Sequence, residues 1–191
     1  MSIDAARHAH TNVDTYKVVF TGPVGAGKTT AIRAISDNLP MMTDVAATDD
    51  TRLRKASTTV AMDFGVIRLG RHEVVHLYGT PGQERFDFMW EILQEGALGL
   101  LVLVDNARHD PVADLLRFVD AYGGFIHRTA MAVGITRTDL APEPRREAHL
   151  AALAGRGIHC PVFSVDAREP RDVSLLLQAL LYTIDPEVHP R

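Results

Sequence analysis

Residues 16–29 read YKVVFTGPVGAGKT, and this stretch decides the fold. The run from Tyr16 to Thr21 is largely apolar, as expected of a central strand that helices bury on both faces. A glycine-rich turn follows, and the residues from Lys28 to Asn38 have helical spacing. The stretch therefore predicts a buried strand, a tight loop and a helix in immediate succession.

Strand and helix patterns alternate along the rest of the chain. Apolar runs typical of buried strands recur at residues 98–104, 130–135 and 162–163. Each is followed by a segment with helical spacing, at residues 111–122, 143–154 and 171–183. Because strands that alternate with helices form a parallel sheet covered by helices on both faces, the pattern predicts a three-layer α/β fold.

One segment departs from this alternation. Residues 60–69 and 73–78 both have strand patterns, and only Gly70, Arg71 and His72 separate them. So short a connection joins antiparallel neighbours, since parallel strands need a long crossover. The sequence therefore predicts a mostly parallel six-stranded sheet with one antiparallel strand.

Length and composition describe one ordinary globular domain. The chain has 191 residues, of which 46% are hydrophobic and 23% are charged. We expect residues 1–14, which are polar and lack periodicity, to form a flexible leader before a single domain at 15–191. The formal net charge of -4 argues against a general nucleic-acid binder, whose surface would carry excess basic residues.

The cysteine content, the apolar runs and the targeting motifs of the sequence bear on its cellular location. Cys160 is the single cysteine, so no internal disulfide can form, and a reducing cytoplasm fits best. The longest apolar run, at residues 97–104, is too short to span a bilayer. From the patterns at the two ends of the sequence we expect neither a signal peptide nor a lipid anchor. We therefore expect a cytoplasmic protein without a direct membrane anchor.

Residues 22–29 match the pattern G-x-x-x-x-G-K-[ST] directly after a buried strand and before a helix, where that pattern binds phosphates. The glycines let backbone N–H groups converge on phosphates, and the helix N-terminus adds a favourable dipole. Lys28 would reach the β- and γ-phosphate oxygens, and the Thr29 hydroxyl would ligate Mg2+. The predicted nucleotide-binding residues of this loop are Gly22, Pro23, Val24, Gly25, Ala26, Gly27, Lys28, Thr29 and Thr30.

Residues 78–86, YGTPGQERF, resemble the second switch of Ras-like small GTPases, where D-x-x-G-Q-E ends a strand. The resemblance implies that the backbone N–H of Gly82 senses the γ-phosphate and that Gln83 orients the attacking water. Gly79 stands where those GTPases carry an aspartate that supports Mg2+ through water. Asp63 on the neighbouring strand is a candidate substitute, although strand alternation also allows a solvated side chain, which we expect instead.

Residues 59–64, TVAMDF, are similar to the T-I-G-V-D-F segment of Rab-type members of the same superfamily. The resemblance implies that Thr59, or its neighbour Thr58, completes the Mg2+ shell only while a γ-phosphate is present. Arg54, in the basic stretch before it, is a candidate arginine finger, with a solvated loop as the alternative. Val24 would crowd an arginine inserted from a partner, so we expect slow intrinsic turnover.

Residues 136–139, TRTD, follow a buried strand where small GTPases carry [NT]-K-x-D, and residues 164–166 stand where they carry S-A-K. An acceptor carboxylate favours guanine, because guanine N1–H and N2–H2 are both donors whereas adenine offers N6–H2 and an unprotonated N1. The second position of S-A-K contributes a backbone amide to guanine O6. The resemblance implies that the base is bound by Thr136, Arg137, Asp139, Ser164, Val165 and Asp166.

These segments occur in the Ras-like order over residues 16–184, and their wording looks most like a bacterial branch of ATP/GTP-binding proteins related to the gliding-motility GTPases. The resemblance implies a Ras-like G domain of the P-loop NTPase class. Such a domain is a switch that binds GTP or GDP with Mg2+, hydrolyses GTP slowly and acts through effectors and a Roadblock-type regulator. Two alternatives stay open: a nucleotide-binding scaffold with little or no hydrolysis, and an ATP-using P-loop protein.

Overall fold

The computed structural model describes residues 14–37, 41–45, 60–70, 72–81, 88–141 and 146–184. Its strands are β1 (Asp14–Thr21), β2 (Met41–Val45), β3 (Val60–Arg68), β4 (Glu73–Gly79), β5 (Gly99–Asp105), β6 (Ala130–Thr136) and β7 (Val162–Ser164). Its helices are α1 (Lys28–Ile35), α2 (Phe88–Gln94), α3 (Pro111–Ala121), α4 (Gly123–Ile126), α5 (Arg146–Ala154) and α6 (Pro170–Ile184).

The strands form one sheet in the order β2-β3-β4-β1-β5-β6-β7. Strands β4, β1, β5, β6 and β7 are mutually parallel, and β3 runs antiparallel to β4. The predicted α/β fold, with its six strands and a single antiparallel one, is confirmed. Met41–Val45 adds an edge strand that pairs with β3. This strand was not predicted, because its five residues, MMTDV, show no apolar alternation.

Apolar side chains form a core on each face of the sheet. On one face, Ile32 of α1 and Leu176 of α6 share a cluster with Phe20 of β1. On the other face, Leu115 of α3 belongs to a cluster that includes Val102 of β5. Strands β5 and β6 are buried along their whole length, as their continuous apolar runs predict. Helices therefore cover both faces of the central strands.

Local chemistry sets where two of these helices begin or end. The Asp110 carboxylate accepts a hydrogen bond from the backbone N–H of Ala113 at 3.0 Å, and Pro111 follows at the first helical position of α3. Helix α1 ends at Ile35, before the Asn38 that the spacing suggested, and the backbone N–H of Ser36 still donates to Ile32. In the part of the chain that the structure describes, no helix is long and apolar enough to cross a membrane.

The parallel strands place their carboxyl ends along one edge of the sheet. The loops after β1, β5, β6 and β7 leave the sheet at this edge. In open α/β sheets, ligands bind outside the carboxyl ends of the strands. The topology therefore brings together the glycine-rich loop and the segments at residues 136–141 and 164–169, which lie far apart in the sequence.

Candidate functional site

The loop between β1 and α1 has a backbone that requires glycine at two positions. Gly22 and Gly27 have φ angles of 136° and 94°, in the range that other residues rarely adopt. A Cβ on Gly22 would lie 2.1 Å from the carbonyl oxygen of Leu103, and a Cβ on Gly27 would lie 2.9 Å from the Cβ of Ala167. The loop is thus packed directly against β5 and against the segment that follows β7.

The side chain of Lys28 lies inside this loop. Its Nζ donates hydrogen bonds to the carbonyl oxygens of Gly22 at 2.7 Å and Pro23 at 2.8 Å. Burial lowers the pKa of Lys28 to about 8, and the nearby Asp63 carboxylate opposes that shift. Within the part of the chain that the structure describes, the hydrogen bonds of this ammonium go to neutral carbonyl oxygens. Phosphate oxygens would offer it stronger, charge-assisted hydrogen bonds.

Thr29 and Asp63 form the second part of the site. The Thr29 hydroxyl donates to Oδ2 of Asp63 at 2.5 Å. Asp63 lies opposite Gly79 in the register of β3 and β4, and a Cβ on Gly79 would lie 2.9 Å from the Cβ of Asp63. The Asp63 carboxylate thus occupies the space beside the loop into which a side chain at position 79 would point.

This placement corrects the expectation that Asp63 is a solvated strand residue. The next position on the same face of β3 is Gly65, where a Cβ would collide with the side chain of Ile32 in α1 and with Oγ of Ser36, which directly follows α1. Asp63 shares that face because strand side chains alternate. The sequence of β3 shows which residues share a face but not which face meets α1. The expectation that the Asp63 side chain points into solvent was therefore wrong.

A cavity of about 270 Å³ opens beside the loop. It is lined by Ala26, Gly27, Thr30, Thr136, Arg137, Asp139, Leu140, Asp166, Ala167 and Arg168. The Thr136 hydroxyl donates to the carbonyl oxygens of Ala26 at 3.0 Å and Val104 at 3.1 Å, and so joins the glycine-rich loop to β5 and β6. The cavity therefore brings part of the predicted phosphate loop together with four predicted base residues, which are Thr136, Arg137, Asp139 and Asp166.

Arg137 has an unusual backbone in this cavity. Its φ of 57° is left-handed, and it is the single non-glycine residue with a positive φ in the described ranges. Its Nε lies 3.4 Å from Oδ2 of Asp105, and a Cβ on Gly25 would lie 3.9 Å from its Nη2. The guanidinium thus lies between the end of β5 and the glycine-rich loop, where it forms one wall of the cavity.

The segment after β7 does not meet the cavity where the resemblance to S-A-K placed it. Val165 cannot contribute its amide to a base, because that N–H donates to the carbonyl oxygen of Ile135 at 2.9 Å. Ser164 is likewise part of β7 and does not line the cavity. The segment that lines it is Asp166-Ala167-Arg168, two residues further along. Among the described residues, none accepts a hydrogen bond from the backbone N–H of Ala167.

Five of the predicted site residues lie outside the described residues. They are Arg54, Thr58, Thr59, Gly82 and Gln83. Their roles stay predictions. Val24, at the tip of the glycine-rich loop, is described and its side chain is exposed.

Residues 40–155 match the model of a protein family described as "Conserved hypothetical ATP binding protein". The match covers more than half of the chain. The chain belongs to this family of ATP-binding proteins. The matched stretch begins after Thr29, so the family and the glycine-rich loop are two separate indications of nucleotide binding.

A protein of the archaeon Methanocaldococcus jannaschii, described as uncharacterized, is also similar to this chain. The two are 29% identical over 122 residues, which cover 61% of this chain and 71% of the archaeal protein. The family places the chain among P-loop-like nucleotide-binding proteins. The family description names ATP and so favours the ATP-using alternative over guanine nucleotides. Neither comparison points to the gliding-motility GTPases.

Proposed function

We propose that this protein binds a purine nucleoside triphosphate together with Mg2+ and hydrolyses it slowly to the diphosphate and phosphate. The observation that carries the proposal is the buried Lys28 ammonium inside the glycine-rich loop, whose hydrogen bonds to described residues go to two neutral carbonyls. A buried cation beside convergent backbone N–H groups and a helix N-terminus is complementary to a polyphosphate.

Thr29 and Asp63 are the protein groups that would hold Mg2+. Magnesium usually binds through one or two protein oxygens together with substrate phosphates and water, and these two oxygens already lie 2.5 Å apart at the end of the loop. Bound Mg2+ would neutralise charge on the β- and γ-phosphates. Resemblance to Ras-like GTPases adds the roles proposed for Thr59 at the metal, Gly82 at the γ-phosphate, Gln83 at the attacking water and Arg54 as an arginine finger.

The geometry of the cavity supports guanine as the base. Asp139 brings an acceptor carboxylate to its wall, and Ala167 brings a backbone N–H that donates to no described residue. An acceptor facing N1–H and N2–H2, with a donor facing O6, complements guanine. The same donor would face the N6–H2 donor of adenine, which leaves both groups unpaired and costs binding free energy.

ATP is the second candidate, and the description of the family favours it. The test is a calorimetric titration of the full chain with GDP, GTP, ADP and ATP, with and without Mg2+. We expect guanine nucleotides to bind at least about tenfold more tightly than adenine nucleotides, and Asp139→Asn to reduce that ratio. Tighter binding of ATP would establish the second candidate, and binding of none of the four would defeat both.

We further propose that the GTP and GDP forms act as a molecular switch in the cytoplasm. Support comes from the resemblance of residues 58–65 and 79–86 to the switch segments of the bacterial branch that includes the gliding-motility GTPases. A Roadblock-type regulator and separate effectors belong to the same proposal. Single-turnover hydrolysis by the purified protein separates the switch from a nucleotide-binding scaffold, which would leave GTP intact.

Mg2+ is expected to raise the affinity for triphosphate by a factor that is about tenfold smaller in Asp63→Ala than in the wild type. The reason is that Thr29 and the metal's water shell lose their carboxylate partner. Affinity without Mg2+ should change less, because loss of the carboxylate lowers the pKa of Lys28 but also removes a negative charge that repels phosphate. The measurement is nucleotide affinity over a Mg2+ titration.

The paired variant Asp63→Gly with Gly79→Asp provides the matched control. It moves the carboxylate to the opposing residue of the neighbouring strand, where it would point into the same space. We expect the pair to recover most of the Mg2+ effect. Gly79→Asp alone should not improve on the wild type, because its Cβ would lie 3.0 Å from Ile32 and 3.2 Å from Oδ2 of Asp63. An Asp63→Ala protein with unchanged Mg2+ dependence would contradict this assignment.

A further inference from the structure

Arg168 links the two loops that enclose the cavity. Its Nη2 donates to Oδ2 of Asp139 at 3.0 Å, so the loop after β7 is joined to the loop after β6. Oδ1 of Asp139 has no hydrogen-bond partner among the described residues. The Asp139 carboxylate at the cavity wall therefore has one oxygen that accepts a hydrogen bond from Arg168 and one oxygen without a described partner.

The guanidinium of Arg168 is itself held from behind by Asp166. Its Nε donates to Oδ1 of Asp166 at 2.9 Å and its Nη2 donates to Oδ2 at 2.7 Å, a two-pronged arrangement that only arginine can make. The Arg168 hydrogen bonds lower the pKa of Asp166 to about 2. The backbone N–H of Asp166 in turn donates to Asp172 in α6 at 2.9 Å. An exposed arginine is thereby given a defined direction.

We propose that Arg168 is a positioning residue that sets the base preference of the cavity by orienting Asp139. The inference rests on the proposed function, since it requires a purine beside Asp139. With Oδ2 held, Oδ1 presents a fixed acceptor to the 2-amino edge of the base. Half of the Asp139 side chain is exposed, so without Arg168 it would sample several rotamers and lose part of its binding free energy to ordering.

Inosine diphosphate isolates this effect. It differs from GDP only in lacking the 2-amino group, so the two ligands carry the same phosphates and the same charge. Lys28, Thr29 and Mg2+ therefore act equally on both, and the ratio of the two affinities reports the contact at Asp139. A general loss of structure would weaken the binding of both ligands equally and leave the ratio of their affinities unchanged.

The experiment titrates the full chain with GDP and inosine diphosphate in the presence of Mg2+. We expect the wild type to prefer GDP by about tenfold, the usual effect of one hydrogen bond to a charged group. Arg168→Ala should reduce that preference to about twofold or less, whereas inosine diphosphate should bind nearly as before. Arg168→Lys keeps the charge without the two-pronged contact and should recover only part of the preference.

Two further variants test the support behind Arg168 and the specificity of its effect. Asp166→Asn weakens the support behind Arg168 and should lower the GDP preference in the same direction. Arg128→Ala removes another exposed arginine, which lies before the amino end of β6, whereas the cavity lies at the carboxyl end of that strand. This variant should leave the GDP preference unchanged.

Each remaining outcome decides against the inference. An Arg168→Ala protein with an unchanged or larger GDP preference would overturn the positioning role while the proposed function stands. A wild type that binds GDP and inosine diphosphate equally would do the same. If the wild type binds neither nucleotide, the inference fails, and the titration with ADP and ATP then decides whether the adenine candidate stands or the proposed function fails as well.

Discussion

A protein with Lys28 replaced by methionine is expected to bind nucleoside triphosphates at least about 100-fold more weakly than the wild type. Methionine keeps an unbranched stem of similar length, so the packing around α1 is largely retained. What it removes is the ammonium that lies between the carbonyls of Gly22 and Pro23. Two or more charge-assisted hydrogen bonds to phosphate are lost with it, and each contributes about 1.5–3 kcal/mol.

The control for this prediction is a free nucleoside, which lacks phosphates. Its affinity for the cavity at Thr136 and Asp139 should not depend on Lys28. The thermal midpoint without nucleotide should change little, because burial already disfavours the charged form of Lys28, as its lowered pKa of about 8 indicates. The measurements are calorimetric titration and thermal unfolding with and without triphosphate. Equal triphosphate affinity in the variant and the wild type would remove the basis of the proposed function.

Gly22→Ala is expected to lower the free energy of unfolding by about 3 kcal/mol or more. The φ of 136° at Gly22 is strained for any other residue. The new Cβ would also lie 2.1 Å from the carbonyl oxygen of Leu103, a backbone atom of β5 that cannot rotate away. The loop or the central strand must therefore shift, and nucleotide binding should be lost with the loop geometry.

Gly25→Ala is the matched comparison for this variant. Gly25 also has a positive φ, of 83°, but a Cβ there would lie 3.9 Å from its nearest neighbour, Nη2 of Arg137. It should cost only the backbone strain of about 1–2 kcal/mol. Urea unfolding of the two variants separates strain from collision. Equal destabilisation would show that the contact with Leu103 relaxes at no cost.

The fold was predictable because its signals are local. Continuous apolar runs identify β5 and β6 as strands buried on both faces, and the short turn at Gly70 requires an antiparallel partner for β4. The edge strand β2 was not predictable, because its residues carry no periodic pattern and its formation depends on pairing with β3.

The segment after β7 that lines the cavity begins two residues beyond the position that the resemblance implied. The Ser-Val-Asp stretch at 164–166 follows a strand, as S-A-K does in small GTPases, and the resemblance therefore placed the amide at Val165. The ladder between β6 and β7 extends one residue further and uses that amide. Asp166-Ala167-Arg168 was the signal in the sequence for the alternative alignment, since it has an alanine between two polar residues, as S-A-K does.

The sequence alone determined the local structure of the one contiguous segment of the site. From Gly22 to Thr29, spacing along the chain sets both the loop and the helix start, because glycine conformations and a helix N-terminus are local properties of the backbone. The tertiary structure alone decided the partners of that loop. Thr29 meets Asp63 across 34 positions and Arg168 meets Asp139 across 29. Such pairs depend on which face of a strand meets a helix and on the register of the sheet, and those are settled only when the whole core packs.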